Sequence, residues 1–101
     1  MIGRIESYVH SDATTENKGA VLVKITTDTD FAARTPAFKE FARAVAMRAY
    51  AALPYPRAYL AGQDMWQVVI AMFPDLETQR ALLEREMREK ITVKEIAILR
   101  L

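Results

Sequence analysis

Two carboxylates lie two positions apart at Asp28 and Asp30, an Asp-x-Asp arrangement that holds a divalent metal ion in some nucleotide-sugar enzymes. Carboxylate oxygens suit hard cations such as Mg²⁺. Such an enzyme also needs a nucleotide-binding domain, and a chain with three glycines has no Gly-rich loop to hold phosphates. We therefore interpret the two carboxylates, with Thr29 between them, as groups that cap the turn leading to Thr35. No metal site is expected.

His10, Ser11 and Asp12 contain the residue types of a serine-hydrolase triad, and His10 is the sole histidine of the chain. Adjacent residues of a strand point to opposite faces, so three consecutive residues cannot converge as a triad requires. The chain has no cysteine, which removes thiolate nucleophiles, disulfides and cysteine-bound metals. We predict that the protein is not an enzyme, needs no cofactor and works in a reducing compartment, the cytoplasm.

Phe31, directly after Asp30, has two interpretations. Phenylalanine is usually a core residue, but one that follows a polar turn can also be an exposed anchor for a partner's pocket. The sequence pattern alone leaves both open.

The charges of the chain are balanced and dispersed. Fourteen Lys and Arg face thirteen Asp and Glu, a net charge of +1. Nucleic-acid and membrane surfaces are bound by clustered positive charge, so neither partner is expected. The longest apolar run, residues 68–73, is far shorter than the roughly 20 residues of a membrane span.

The apolar pattern predicts a two-layer α+β domain with a three-stranded antiparallel sheet, in the order β-β-α-α-α-β, and helices on one face. Strands are predicted near residues 2–10 and 20–26. A helix starts with Thr35 as N-cap and Pro36 as first residue, and Pro54 stops it. A second helix ends at Pro74, a third follows Asp75, and the chain closes with a strand.

The last strand is apolar on both of its faces. Strict alternation puts Ile96 and Ile98 on the face opposite Leu99 and Leu101, and the second strand is apolar throughout residues 21–23. So small a domain has no helices to spare for a second face. We therefore expect a homodimer joined sheet to sheet, or an unrelated partner in its place. The predicted dimer face contains Val21, Val23, Ile96 and Ile98.

Four blocks of the sequence resemble the core domain of the elongation factor Ts family, and they occur in the family's order. They are residues 3–12 (GRIESYVHSD), 19–23 (GAVLV), 28–34 (DTDFAAR) and 38–47, with FKEFA and VAM. A weaker similarity covers the charged helix from Thr78 and the following ITVK. The family's Ile-Gly-Glu-Asn before the last strand is replaced here by Met87-Arg88-Glu89-Lys90.

The resemblance implies a protein-binding function. Residues 1–101 would form a single core domain that lacks the family's N-terminal ubiquitin-associated-type domain. The family promotes GDP/GTP exchange on elongation factor Tu by stabilising its nucleotide-free form. By position, Phe31 would insert between helices of the partner's GTP-binding domain and Asp30 would make a polar contact beside it. Thr29 would cap the turn and Arg34 would brace it.

A second hypothesis rests on the doubly apolar sheet. The chain would then be a dimerisation or scaffolding module that keeps the core fold and recruits elongation factor Tu, or another partner, without catalysing exchange.

Overall fold

The computed structural model describes residues 1–61 and 63–101, and within them the chain forms an α+β structure. The elements, in chain order, are β1 (Gly3–His10), β2 (Gly19–Thr26), α1 (Asp30–Ala33), α2 (Pro36–Ala52), β3 (Arg57–Ala61), α3 (Gln63–Met72), α4 (Asp75–Met87) and β4 (Thr92–Arg100).

The prediction of a three-stranded sheet was wrong. The sheet has four antiparallel strands in the order β1-β2-β4-β3, and the described residues include a further short helix, α1. The additional strand, β3, is an edge strand that pairs with β4, with Tyr59 opposite Ala97. It follows Pro54 and Pro56, whose missing N–H groups are tolerated ahead of an edge strand. The two prolines made this segment look like a plain connection.

The main helix, α2, begins where its local signals predict. The Thr35 hydroxyl oxygen accepts a hydrogen bond from the Phe38 N–H at 3.3 Å, and Pro36 fills the first helical position. The inward stripe of α2 packs on the sheet and is buried; its members are Phe38, Phe41, Ala42, Val45, Ala46, Ala49 and Tyr50. Helix α3 adds Trp66, whose ring meets the Phe41 ring edge-on at 6.5 Å. The core therefore lies between the helices and one face of the sheet.

A β-bulge corrects the predicted faces of the last strand. Lys24 pairs with Glu95 but Ile25 pairs with Val93, so Lys94 is an extra residue in β4. Strict alternation assigned Val93 and Ile96 to opposite faces. The extra residue instead brings both into the core, where each is at most 2% exposed.

The four residues predicted to form a dimer face lie beneath the helices. Val21, Val23, Ile96 and Ile98 are at most 3% exposed and belong to the core of the chain. A partner could not reach them while the helices remain packed. This choice of residues is therefore corrected by the structure.

The opposite face of the sheet carries apolar side chains that no described element covers. Its exposed members, between 49% and 67% accessible, are Ile5, Val9, Leu22, Tyr59 and Leu99. The register places them together, since Leu22 lies opposite Ala97 on β4, and Ala97 lies opposite Tyr59. We call this surface, formed by those five residues, the open face.

None of the helices in the described part of the chain is both long and apolar enough to cross a membrane.

Candidate functional site

Phe31 is the most exposed aromatic side chain near the predicted binding turn. It lies on the one-turn helix α1, and 76% of it is accessible to solvent. The two residues that follow it, Ala32 and Ala33, are buried against the core. The turn is therefore packed against the core on its inner side, and the ring of Phe31 extends into solvent from its outer side.

Thr29 caps the turn. Its hydroxyl oxygen accepts a hydrogen bond from the Ala32 N–H at 3.3 Å, and its backbone is extended, as an N-cap residue requires. The buried Thr27 donates its hydroxyl to the Thr29 carbonyl at 2.8 Å. The turn is thus hydrogen-bonded on both sides of Thr29.

Asp30 and Arg34 lie on the same exposed side of the turn. Their carboxylate and guanidinium groups are 3.2 Å apart, with about 70% of each side chain exposed. An exposed pair four residues apart stabilises a helix by only about 0.3–0.5 kcal/mol. Both charged groups are therefore free to exchange this contact for one with a partner.

A carboxylate from the other end of the chain holds the turn. One oxygen of Glu89, Oε1, accepts from the backbone N–H groups of Asp28 (3.1 Å) and Thr29 (2.9 Å). The other oxygen, Oε2, accepts from the Thr29 hydroxyl at 2.6 Å. In return, the Lys90 N–H donates to the Asp28 carboxylate at 3.0 Å. The turn before Phe31 is therefore attached to the connection between α4 and β4.

Arg88 gives that connection its direction. It ends α4 in the left-handed conformation, with φ 58° and ψ 38°, and its N–H donates to the Glu84 carbonyl. A non-glycine residue tolerates this conformation at a cost of about 1–2 kcal/mol. The chain reverses at Arg88 so that Glu89 faces the turn.

The predictions from sequence missed Glu89. The family's Ile-Gly-Glu-Asn has glutamate at its third position, and Glu89 keeps that residue type. The second position explains the backbone, because glycine adopts the left-handed conformation readily and Arg88 occupies it here. Retention of the glutamate was the available signal.

The side chains of His10, Ser11 and Asp12 each contact a different partner and do not converge. The ring of His10 stacks on that of Tyr50 at 4.7 Å, and its Nδ1 lies 2.8 Å from the Tyr8 hydroxyl. The Ser11 hydroxyl oxygen instead accepts from the Asn17 N–H at 2.8 Å. These contacts organise the end of the hairpin.

Asp12 orders the loop of the same hairpin. Its carboxylate accepts from Lys18 Nζ and from the backbone N–H groups of Thr14 and Thr15, at 2.8 to 2.9 Å. The Lys18 hydrogen bond, followed by the bonds from Thr14 and Thr15, holds the pKa of Asp12 well below its usual range. One carboxylate therefore closes the loop between β1 and β2.

A groove of about 690 Å³ lies beside the turn, between α3, α4 and the start of β4. Three of its charged groups, Glu77, Arg80 and Glu84, are paired with one another. Arg80 donates to both oxygens of Glu77 at 2.7 and 2.8 Å and to Glu84 at 2.9 Å. The Trp66 Nε1–H also donates to Glu77 at 2.8 Å. The Arg80 hydrogen bond, with a smaller contribution from Trp66, lowers the pKa of Glu77. These pairings indicate a structural role.

Comparison with known proteins gives a consistent set of relatives. No model of a protein family matches the chain. The elongation factor Ts of Rippkaea orientalis is 36% identical over 107 aligned residues, which cover 96% of this chain and 41% of that protein. That of Carboxydothermus hydrogenoformans is 38% identical over 82 residues, 81% of this chain and 35% of that protein. That of Methylacidiphilum infernorum is 41% identical over 68 residues, which cover 67% of this chain and 30% of that protein. The chain thus spans only 30% to 41% of the length of these relatives.

Proposed function

Since the chain belongs to the elongation factor Ts family, we propose that it binds elongation factor Tu and promotes the exchange of GDP for GTP in translation elongation. Residues 1–101 would act as one core domain, and the site of action would be the cytoplasm. The observation that carries the proposal is the exposed ring of Phe31 on a turn held in place by hydrogen bonds.

The physical reason is the free energy that an exposed aromatic ring gains on burial. Full burial of a phenylalanine side chain contributes about 1.5–3 kcal/mol. Phe31 is 76% exposed in the free chain, so most of that contribution is available to a partner pocket. The turn is already ordered by Thr29 and Glu89, which limits the entropy lost on binding.

Exchange follows from linkage between the two ligands of elongation factor Tu. If insertion of Phe31 distorts the nucleotide site, this chain binds the nucleotide-free form more tightly than the GDP form. Reciprocity then requires that the bound chain lower the affinity of elongation factor Tu for GDP by the same factor. Asp30 and Arg34, which flank the ring and are exposed, would supply polar contacts that orient the insertion.

The proposed contact is smaller than a standard protein interface. Stable complexes bury about 1,200–2,000 Å² in total, more than one helical turn provides. We therefore expect the chain to act at high concentration, with fast dissociation, unless a further surface takes part.

Release of a fluorescent GDP analogue from elongation factor Tu tests the proposal. The unmutated chain should accelerate release, and Phe31→Ala should abolish the acceleration. Tyr55→Ala is the matched control, because Tyr55 is also an exposed aromatic residue but lies outside the turn. No acceleration by the unmutated chain, even in large excess over elongation factor Tu, would remove exchange as its function.

The open face favours a second candidate function, a dimerisation or scaffolding module that recruits elongation factor Tu without exchanging its nucleotide. Its apolar side chains, Leu22, Tyr59 and Leu99 among them, are the kind of surface that a second copy of the chain could cover. A polar group lies within it, because the Glu95 carboxylate accepts from Lys24 at 2.9 Å and from the Tyr59 hydroxyl. Two copies would have to keep or replace those bonds.

Light scattering tests the dimer. We expect a dimer that Leu99→Lys converts to a monomer, whereas Glu40→Lys, a charge reversal on the exposed side of α2, leaves the dimer intact. A monomer of the unmutated chain at high concentration would argue against the dimer. Capture of elongation factor Tu without faster GDP release would favour this function over exchange.

A further inference from the structure

We infer that Glu89 is a positioning residue for the Phe31 turn, an inference that rests on the proposed function. Glu89 lies 58 positions after Phe31 (89 − 31) and makes no described hydrogen bond to it. It acts through Thr29, by fixing the cap of the helical turn that carries the ring.

The carboxylate of Glu89 spans the start of the turn. Its Oε1 accepts from two successive backbone N–H groups, those of Asp28 and Thr29. Consecutive N–H groups that point to one spot form an anion-binding concavity. Hydrogen bonds to a charged acceptor are about twice as strong as neutral ones. Glu89 thus fills this concavity from within the chain.

The second oxygen of Glu89 sets the polarity of the cap. The Thr29 hydroxyl has one hydrogen, and its 2.6 Å contact commits that hydrogen to Glu89 Oε2. The hydroxyl oxygen is then oriented as an acceptor for the Ala32 N–H, the bond that closes α1 around Phe31. A relay therefore runs from Glu89 through Thr29 to the helical turn.

The relay matters because α1 is only four residues long. Helices shorter than about 12 residues are marginal in isolation, so the turn needs support from outside. Without Glu89, the unbound turn would populate several conformations. A partner then meets the competent conformation in only a fraction of molecules, and the apparent dissociation constant rises in inverse proportion to that fraction.

Removal of the Glu89 carboxylate should change one kinetic parameter of GDP release and leave another unchanged. Glu89→Ala should raise the concentration that gives half-maximal acceleration of GDP release by about tenfold, the effect of losing roughly one charge-assisted hydrogen bond. The maximal rate should stay unchanged, since the Phe31 ring is still present. Phe31→Ala should instead lose the maximal rate. A variant that is simply unfolded would instead lose the acceleration of GDP release altogether and would show no cooperative thermal unfolding transition.

Glu89→Gln and Glu86→Ala complete the experiment. The amide oxygen of a glutamine can still accept from the two backbone N–H groups. The half-maximal concentration of Glu89→Gln should therefore lie close to that of the unmutated chain. Glu86→Ala removes an exposed glutamate at the end of α4, three positions before Glu89, and should match the unmutated chain. Amide hydrogen exchange, followed by NMR, should show loss of protection at Asp28 and Thr29 in Glu89→Ala alone.

The failures of the two proposals are distinguishable. If the unmutated chain accelerates GDP release and Glu89→Ala has the same half-maximal concentration, the positioning inference is overturned and the exchange function stands. If the unmutated chain gives no acceleration, the exchange function falls and the partner-directed role of Glu89 falls with it. In that case the amide protection at Asp28 and Thr29 still decides whether Glu89 holds the turn.

Discussion

The guanidinium group of Arg100 lies 3.9 Å from the centre of the Tyr50 ring, and its Nη2 donates to the backbone carbonyl of the same tyrosine. Nη2 also donates to the Leu53 carbonyl, and Nε donates to the Tyr55 carbonyl at 2.9 Å. The last carbonyls of a helix have no partner inside it and carry a partial negative charge. Arg100, near the chain end, therefore caps α2, the helix that covers the sheet.

Replacing Arg100 should destabilise the fold through that cap. We expect Arg100→Ala to lower the free energy of unfolding by about 1.5–3 kcal/mol, the range for hydrogen bonds that involve a charged group. Arg100→Lys should recover only part of this loss, because an ammonium group lacks the planar fork that reaches several carbonyls. Urea unfolding measures both. Arg43→Ala, on the exposed side of α2, is the control and should change stability by less than about 0.5 kcal/mol.

Arg88 offers a substitution that should stabilise the chain. Its φ of 58° is a conformation that glycine adopts without strain. We expect Arg88→Gly to raise the free energy of unfolding by about 0.5–1 kcal/mol, because relief of strain exceeds the greater flexibility of glycine in the unfolded chain. Thermal unfolding by circular dichroism provides the measurement. A lower transition temperature than that of the unmutated chain would show that the Arg88 side chain contributes more than its backbone conformation costs.

The stability of the chain should also depend on pH through Glu77. Hydrogen bonds from Arg80 and Trp66 lower the pKa of this carboxyl from its ordinary 4.5 in the folded chain. The unfolded chain therefore takes up the proton first as pH falls. The stabilisation by ionised Glu77 is complete above about pH 4.5 and is lost as pH drops through the lowered value of the folded state.

Comparison with Glu77→Gln isolates that contribution. The difference in free energy of unfolding between the unmutated chain and this variant should be largest near pH 7 and should shrink below pH 4.5. The fluorescence of Trp66, the single tryptophan, reports unfolding. Glu86→Gln should leave the pH profile unchanged, since Glu86 is exposed on the same helix. A constant difference between Glu77→Gln and the unmutated chain from pH 7 to pH 3 would contradict the assignment.

Local signals predicted the helices better than the sheet. The start of α2 was predictable because a capping threonine and a first-position proline act within one turn. Strand β3 was not, because an edge strand of five residues owes its existence to pairing with β4, about 40 positions away in the sequence (97 − 59 = 38). Sheet pairing is decided by distant partners, which composition does not reveal.

The two faces of the sheet were also harder to predict than the helices. Alternation along β4 was extrapolated through Lys94, and one extra residue at that bulge shifts every later side chain to the other face. The dimer face predicted from the sequence contains the buried Ile98 and omits the exposed Leu99, because a strand that is apolar on both faces does not show which face the helices cover. Glu89 was missed for a related reason. Its contacts with Asp28 and Thr29 join segments about 60 positions apart.

Truncation of Phe38 and of Phe31, seven positions apart, should differ in its effect on the free energy of unfolding. Phe38 is fully buried on α2, and Phe31 is 76% exposed on α1. Phe38→Ala leaves a cavity in the core and should lower the free energy of unfolding by about 3–5 kcal/mol. Phe31→Ala removes no core contact and should change it by less than about 0.5 kcal/mol. Urea unfolding of the two variants, read beside their GDP-release activity, should give a stable and inactive Phe31→Ala. A Phe31→Ala variant destabilised by 2 kcal/mol or more would mean that the ring supports the fold, and its loss of exchange would then say nothing about contact with a partner.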